Sequence, residues 1–260
     1  MAGERHFSCT ACGKCCAGLL PLTLADALAN ADRFPLGMLW TPIRQNQRSF
    51  ELTARLGVKL RLRDRRTVAL RVTPVSYVPP SLPCPALAED GRCSIHETKP
   101  VRCRAMPFFA YLEEVEQAAQ LVPRKGWDCD VSPAAPVVFR DRNIVDAAAF
   151  QAERQQLLSQ APILRAYAEA QLATVPGLSD KLGMVASRPL GGDVLLGMAT
   201  LLPHWPGLDS ATFARRQRPV LDAFAALVGD DPAMTDFAHR YRQWGREMAR
   251  LETATAAATE

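Results

Sequence analysis

Cysteine is missing from the last 131 of 260 residues, although eight cysteines precede them, the last at Cys129. No run of 18 apolar residues occurs, and the most apolar stretch, Leu195 to Leu202, is too short to span a bilayer. No apolar h-region follows Met1, so no secretory signal is expected and the cytoplasm is the expected compartment. There thiols stay reduced, which argues against a disulfide framework and for metal binding or catalysis. Charge of one sign is also scarce. The net charge is +4, with the basic excess in residues 1–135, too little to imply nucleic-acid binding. No Gly-rich nucleotide loop follows a strand, and Gly191-Gly192 lacks that context. No internal repeat stands out.

What is there is crowded. Residues 7–16 read FSCTACGKCC, with Cys9, Cys12, Cys15 and Cys16, and the remaining thiols are Cys84, Cys93, Cys103 and Cys129. A chain of this length buries a core without needing staples. A C-x-x-C turn points two sulfurs at one centre. Three such ligands in series, with a remote fourth, is how ferredoxin loops wrap a [4Fe–4S] cluster. Cys84, followed by Pro85, fits that remote position. Zinc is the alternative, since isolated cysteines can also build a four-thiolate site. Adjacent side chains diverge, so Cys15 and Cys16 imply two centres, or one centre and a spare thiol. A thioredoxin-type site is excluded because too few residues precede Cys9 to form the required strand. All eight cysteines are candidate metal ligands.

The edge of the cysteine-containing region, near Ser132-Pro133 and Pro136, divides the chain into a cysteine-cluster domain (1–135) and a helical region (136–260). The expected class is α+β: an irregular N-terminal half with a small β-hairpin or antiparallel sheet, then an all-α half. Thr23-Leu24-Ala25-Asp26 predicts a capped helix start, running to about Asp32. Val58 to Arg63 and Thr67 to Val72 alternate apolar and polar around Asp64-Arg65-Arg66, which predicts a hairpin. Its outer face would carry Lys59, Arg61, Arg63 and Arg71, either as a solvated edge or as a docking surface for an acidic partner. Pro100 suits the start of a short helix bearing Cys103, and a strand is expected around Gln120 to Val122. Helices are expected over Asn143–Leu158, Ile163–Leu172, Asp193–Leu202, Ala211–Val228 (broken or kinked at Pro219) and Ala233–Leu251. Phe237, Tyr241, Trp244 and Met248 form one apolar stripe, and Thr253–Glu260 is expected to fray.

Residues 7–16, Leu20 to Asp26 and CPALAEDGRCSIHETKPVRCRAMP (84–107) together resemble the YkgJ-type cysteine-cluster family, described as zinc- or iron-chelating. The resemblance covers roughly residues 7–130 and carries over Cys9, Cys12, Cys15, Cys16, Cys84, Cys93 and Cys103. Pro85, Leu87, Gly91, Ile95, Pro100, Arg102, Arg104 and Pro107 also fit or flank its pattern, and Arg102 and Arg104, on either side of Cys103, are expected to offset the negative charge of a thiolate centre. His96, Lys99 and Met106 depart from it at support positions. The resemblance implies a metal-binding protein, iron–sulfur first and zinc second, with a redox, sensing or structural role. A related cysteine pattern in flagellin lysine methylases implies a protein-modifying enzyme as an alternative, although the C-x-x-x-C-x-x-C pattern of radical enzymes is absent. A third alternative is a structural zinc module. Whether the chain is an enzyme stays open. A protein partner could dock on the helical half or the hairpin, and no membrane or nucleic-acid partner is expected.

Overall fold

Residues 3–256 are described by a computed structural model. In chain order they form β1 (Arg5–His6), β2 (Leu20–Pro21), α1 (Leu24–Ala29), β3 (Leu36–Arg44), α2 (Phe50–Leu56), β4 (Val58–Arg61), β5 (Thr67–Ser76) and α3 (Val101–Ala105). A 3-10 helix over Glu114–Leu121 follows. Then come β6 (Val137–Arg140), β7 (Asn143–Ile144), α4 (Ala148–Thr174), α5 (Leu178–Ser187), β8 (Val194–Gly197), α6 (Ser210–Val228) and α7 (Thr235–Ala256). The α+β class expected from the sequence is the class observed.

The predicted hairpin forms: β4 pairs antiparallel with β5 from Val58 opposite Leu70 to Arg61 opposite Thr67. β5 then runs on and pairs with β3 over nine positions, from Leu36 opposite Ser76 to Arg44 opposite Val68. β2 joins the far end of β5, and β8 joins β3, completing a five-stranded antiparallel sheet. Side chains alternate across these strands. Met38, Trp40, Leu70 and Val72 therefore share a face and enter the main core, where Trp40 meets Tyr167 of α4 edge-on at 5.4 Å. At Gly37 and Gly197, which lie opposite each other in β3 and β8, the absent side chains let Trp244 of α7 rest on the sheet. The α7 stripe is core as expected: Tyr241, Trp244 and Met248 are buried.

Local signals also hold at α1. The Asp26 N–H donates to Thr23 Oγ1 at 3.1 Å. The Asp26 carboxylate in turn accepts the Val101 N–H at 3.2 Å, tying α1 to α3. The helix stops at Ala29 because Asn30 leaves helical geometry (φ −112°, ψ 22°), and its side-chain Nδ2 donates to Asp26 O at 2.9 Å. Burial raises the Asp26 pKa above its ordinary 3.8. Its folded form then holds a proton more tightly than the unfolded chain does. The resulting stability is fully present below about pH 3.8 and is lost as pH rises through the folded value. Asp26→Asn removes this slope. Urea denaturation of both proteins from about pH 3 to about pH 7 should show the wild type losing stability relative to the variant as pH rises. Parallel curves would exclude Asp26 as the source.

Several expectations are corrected. The C-terminal half is mostly rather than wholly helical. Val194–Gly197 is a strand, because four apolar residues after Gly191-Gly192 find the open edge of β3. Asn143–Ile144 pairs with β6, so α4 starts only at Ala148. α4 and α6 run straight through Pro162 and Pro219. The residue four before each proline, Leu158 or Arg215, is exposed, so the carbonyl freed by the missing N–H can be hydrated. No strand forms at Gln120–Val122. Gln117 is fully buried and bonds to Phe109 N and O and to Leu112 O, which winds this segment into a 3-10 helix and leaves Val122 72% exposed. Arg71 does not join a solvated basic face; it is half-buried beside the Phe109 and Tyr111 rings, 5.5 and 5.2 Å from their centroids. Of the tail expected to fray, Thr253–Ala256 continue α7, and residues 257–260 lie outside those described.

Candidate metal centre

Residues 9–16 are a loop closed by short-range geometry. Ala11 and Gly13 take left-handed backbone angles (φ 56° and 69°), and the Cys16 N–H closes onto Gly13 O at 2.8 Å. Alternation of right- and left-handed residues turns successive N–H groups inward, a concavity suited to anions. The Cys12 thiol receives the N–H groups of Lys14 and Asp128, which hold its pKa below the ordinary thiol value. The loop lies over residues 87–91: a Cβ on Gly13 would sit 3.6 Å from Gly91 O and from the Leu87 methyls.

Two backbone pairings bring the distant cysteines to this loop. Ser8 and Asp130 exchange both N–H···O bonds, at 2.8 and 3.0 Å, and Thr10 Oγ1 donates to Asp128 O at 3.0 Å. This antiparallel register sets Cys9 opposite Cys129. Further on, Ala17 bridges Pro83 and the Cys84 N–H donates to Cys16 O at 2.8 Å, which sets Cys16 opposite Cys84. Cys93 follows through its bridge to Leu87. Cys103 arrives on α3, whose start after Pro100 is the one predicted.

The electrostatic neighbours divide in the same way except at Cys15, which Cys84 and Cys103 feel as well as Cys129. Cys16 feels Cys84, Cys103 and Cys93, whereas Cys129 feels Cys12, Cys9 and Cys15. Burial pushes the Cys103 thiol up to about 12, helped by Cys84, Cys15 and Cys93, and burial raises Cys84. Neutral thiols are favoured there until a cation supplies the missing positive charge. Cys15 and Cys16 lie 4.0 Å apart at sulfur, and the contact pushes the Cys15 thiol up and lowers that of Cys16. All eight cysteines are free thiols; Cys9 and Cys15 are exposed and the other six half-buried. Among the described residues, no three His, Cys, Asp or Glu side chains already stand as a metal-holding group. The thiols are gathered by their backbones, and a set rich in thiolate donors suits zinc and iron–sulfur clusters.

Of the supporting residues, Arg102 departs from expectation and His96 does not. His96 is exposed. Arg102 turns away from the thiols, reaching Phe108 O and, at 3.3 Å, the buried carboxylate of Glu153. The Asp128 N–H donor to Cys12, and the placing of Cys129 against Cys9, left no mark in the sequence, because both come from a pairing between residues about 120 positions apart. A surface cleft of about 400 Å³ lies elsewhere, lined by Arg61, Arg63, Thr174, Gly177 and Asp180 among others, with Arg63 paired to Asp180 and no cysteine in its wall.

Comparison with known families matches residues 8–123 to the CxxCxxCC family, described as a "putative zinc- or iron-chelating domain". The match spans 116 of the 260 residues and includes seven of the eight cysteines. The YkgJ label agrees with it. The CxxCxxCC description supports metal binding and covers zinc and iron alike. Cys129 lies beyond the matched segment. No curated protein and no solved structure matches the chain. Among the described residues no helix is long and apolar enough to cross a membrane.

Proposed function

We propose that this CxxCxxCC protein holds an iron–sulfur cluster through cysteine thiolates and uses it for electron transfer, for sensing oxidants or for organising the fold. The observation that carries the reading is the loop of Cys9, Cys12 and Cys15. Its three thiols follow at two-residue intervals, and left-handed turns at Ala11 and Gly13 curl the loop. Backbone N–H groups bonded to a ligand sulfur favour the thiolate and tune the potential of a cluster. A bound cluster would supply one-electron chemistry. The chain's own contribution is to provide the thiolates, to set N–H donors against Cys12, and to back Cys84 and Cys93 with the apolar core.

Purification without oxygen, followed by visible absorption and assay of iron, sulfide and zinc, tests the proposal. A brown protein with matched iron and sulfide is expected. A colourless protein with stoichiometric zinc would overturn the cluster. Cys12→Ser is expected to lose the iron and sulfide and to lower the melting temperature; unchanged metal content would remove Cys12 from the ligand set.

A further inference from the structure

The geometry points to two separate centres: an outer [4Fe–4S] cluster on Cys9, Cys12, Cys15 and Cys129, and an inner zinc ion on Cys16, Cys84, Cys93 and Cys103. The inference rests on the metal-binding reading above and adds the number of centres, their ligands and their different chemistry.

The division follows the backbone. One pairing, Ser8 with Asp130, sets Cys9 against Cys129. A second pairing, Ala17 with Pro83, sets Cys16 against Cys84. The two pairings involve different segments, and the doublet Cys15-Cys16 sits at the junction. Cys16 belongs with the inner set, since its carbonyl holds the Cys84 N–H and its electrostatic neighbours include Cys84, Cys103 and Cys93. Cys15 borders both sets, felt by Cys129 on one side and by Cys84 and Cys103 on the other; its exposure and its place in the C-x-x-C series assign it to the outer set. Rotation about cysteine χ1 between staggered wells is the freedom by which either set closes on its metal.

The surroundings differ as well. Cys84 and Cys93 pack against the main core, as suits a closed tetrahedral site that adds to folding energy. The outer set is more open, with Cys9 and Cys15 exposed and Cys12 and Cys129 half-buried, at a curled loop with N–H groups bonded to Cys12. Three ligands in series and one remote ligand fit a cubane, whereas four isolated ligands fit a single ion. The remote ligand of the cluster is then Cys129, outside the family-matched residues, and not Cys84.

Metal analysis of the full chain, purified without oxygen, tests the division. The wild type is expected to carry about four iron, four sulfide and one zinc per chain. Cys129→Ser should lose iron, sulfide and the visible absorption while keeping zinc, and Cys9→Ser should behave alike from the opposite segment. Cys93→Ser should lose zinc and keep the absorption. Circular dichroism identifies any variant that has simply unfolded, and the second outer variant then decides. The proposal is overturned if Cys129→Ser and Cys9→Ser keep the cluster, if all three substitutions remove the same metal, or if zinc fills both sets. A wild type without any metal would instead overturn the metal-binding reading on which it rests.

Discussion

Replacing Trp244 with Ala is expected to lower the unfolding free energy by about 3–5 kcal/mol, the range for truncating a large buried aromatic side chain. Trp244 is 2% exposed. Its ring touches Gly37 and Gly197, where an added Cβ would come within 2.7 Å of Cη2 and 2.8 Å of Cδ1 respectively. Tyr77 completes the surround, its ring centroid 5.5 Å from Trp244. The contact is where α7 meets the sheet, and the glycine backbones cannot collapse into the cavity that Ala would leave. The reciprocal change, Gly197→Ala, forces the same contact apart from the other side, against Trp244 and Glu247. Denaturant titration measures both. A loss below about 1 kcal/mol for Trp244→Ala would mean that α7 is held by other contacts.

Gln217→Ala is expected to cost a similar amount for a different reason. Gln217 is fully buried in α6 and serves three backbone groups of the turn before β3. Its Oε1 accepts the Leu36 N–H at 2.6 Å, and its Nε2 donates to Ala31 O at 2.6 Å and Phe34 O at 3.0 Å. Truncation leaves one donor and two acceptors buried without partners, at about 1–3 kcal/mol each. Gln217→Glu separates hydrogen bonding from packing. It keeps the shape and the acceptor for Leu36 but removes the donor, so it should also be strongly destabilised at neutral pH. A Gln217→Glu protein as stable as the wild type, by denaturant titration, would show that the bonds to Ala31 and Phe34 contribute nothing.

Features that depend on neighbours in sequence were legible. The Thr23 cap, the Val58–Val72 hairpin, the helix start after Pro100 and the α7 stripe each follow from a few adjacent residues and were found where expected. Features decided by distant partners were not. Val194–Gly197 has the apolar content of a helix turn, and only the waiting edge of β3 makes it a strand. Pro162 and Pro219 look like helix breaks until the exposure of Leu158 and Arg215 is known. Arg71 alternates like its basic neighbours, but the Phe109 and Tyr111 rings cover it. At the candidate centre the thiols and their spacing could be read directly. The pairings that sort them, Ser8 with Asp130 and Ala17 with Pro83, lie in short irregular segments with no periodicity to detect.

The docking of β8 on β3 also imposes an order in time. Leu36–Arg44 pairs with β5 early in the chain, yet its other edge is met only by Val194–Gly197. On the ribosome about 120 residues must be added between these events, from Ser76 to Gly197, which takes on the order of ten seconds at ~5–20 residues per second. Throughout that interval the nascent sheet shows an open edge, a template for pairing with another chain. Protection of this edge during synthesis would therefore govern how much protein matures.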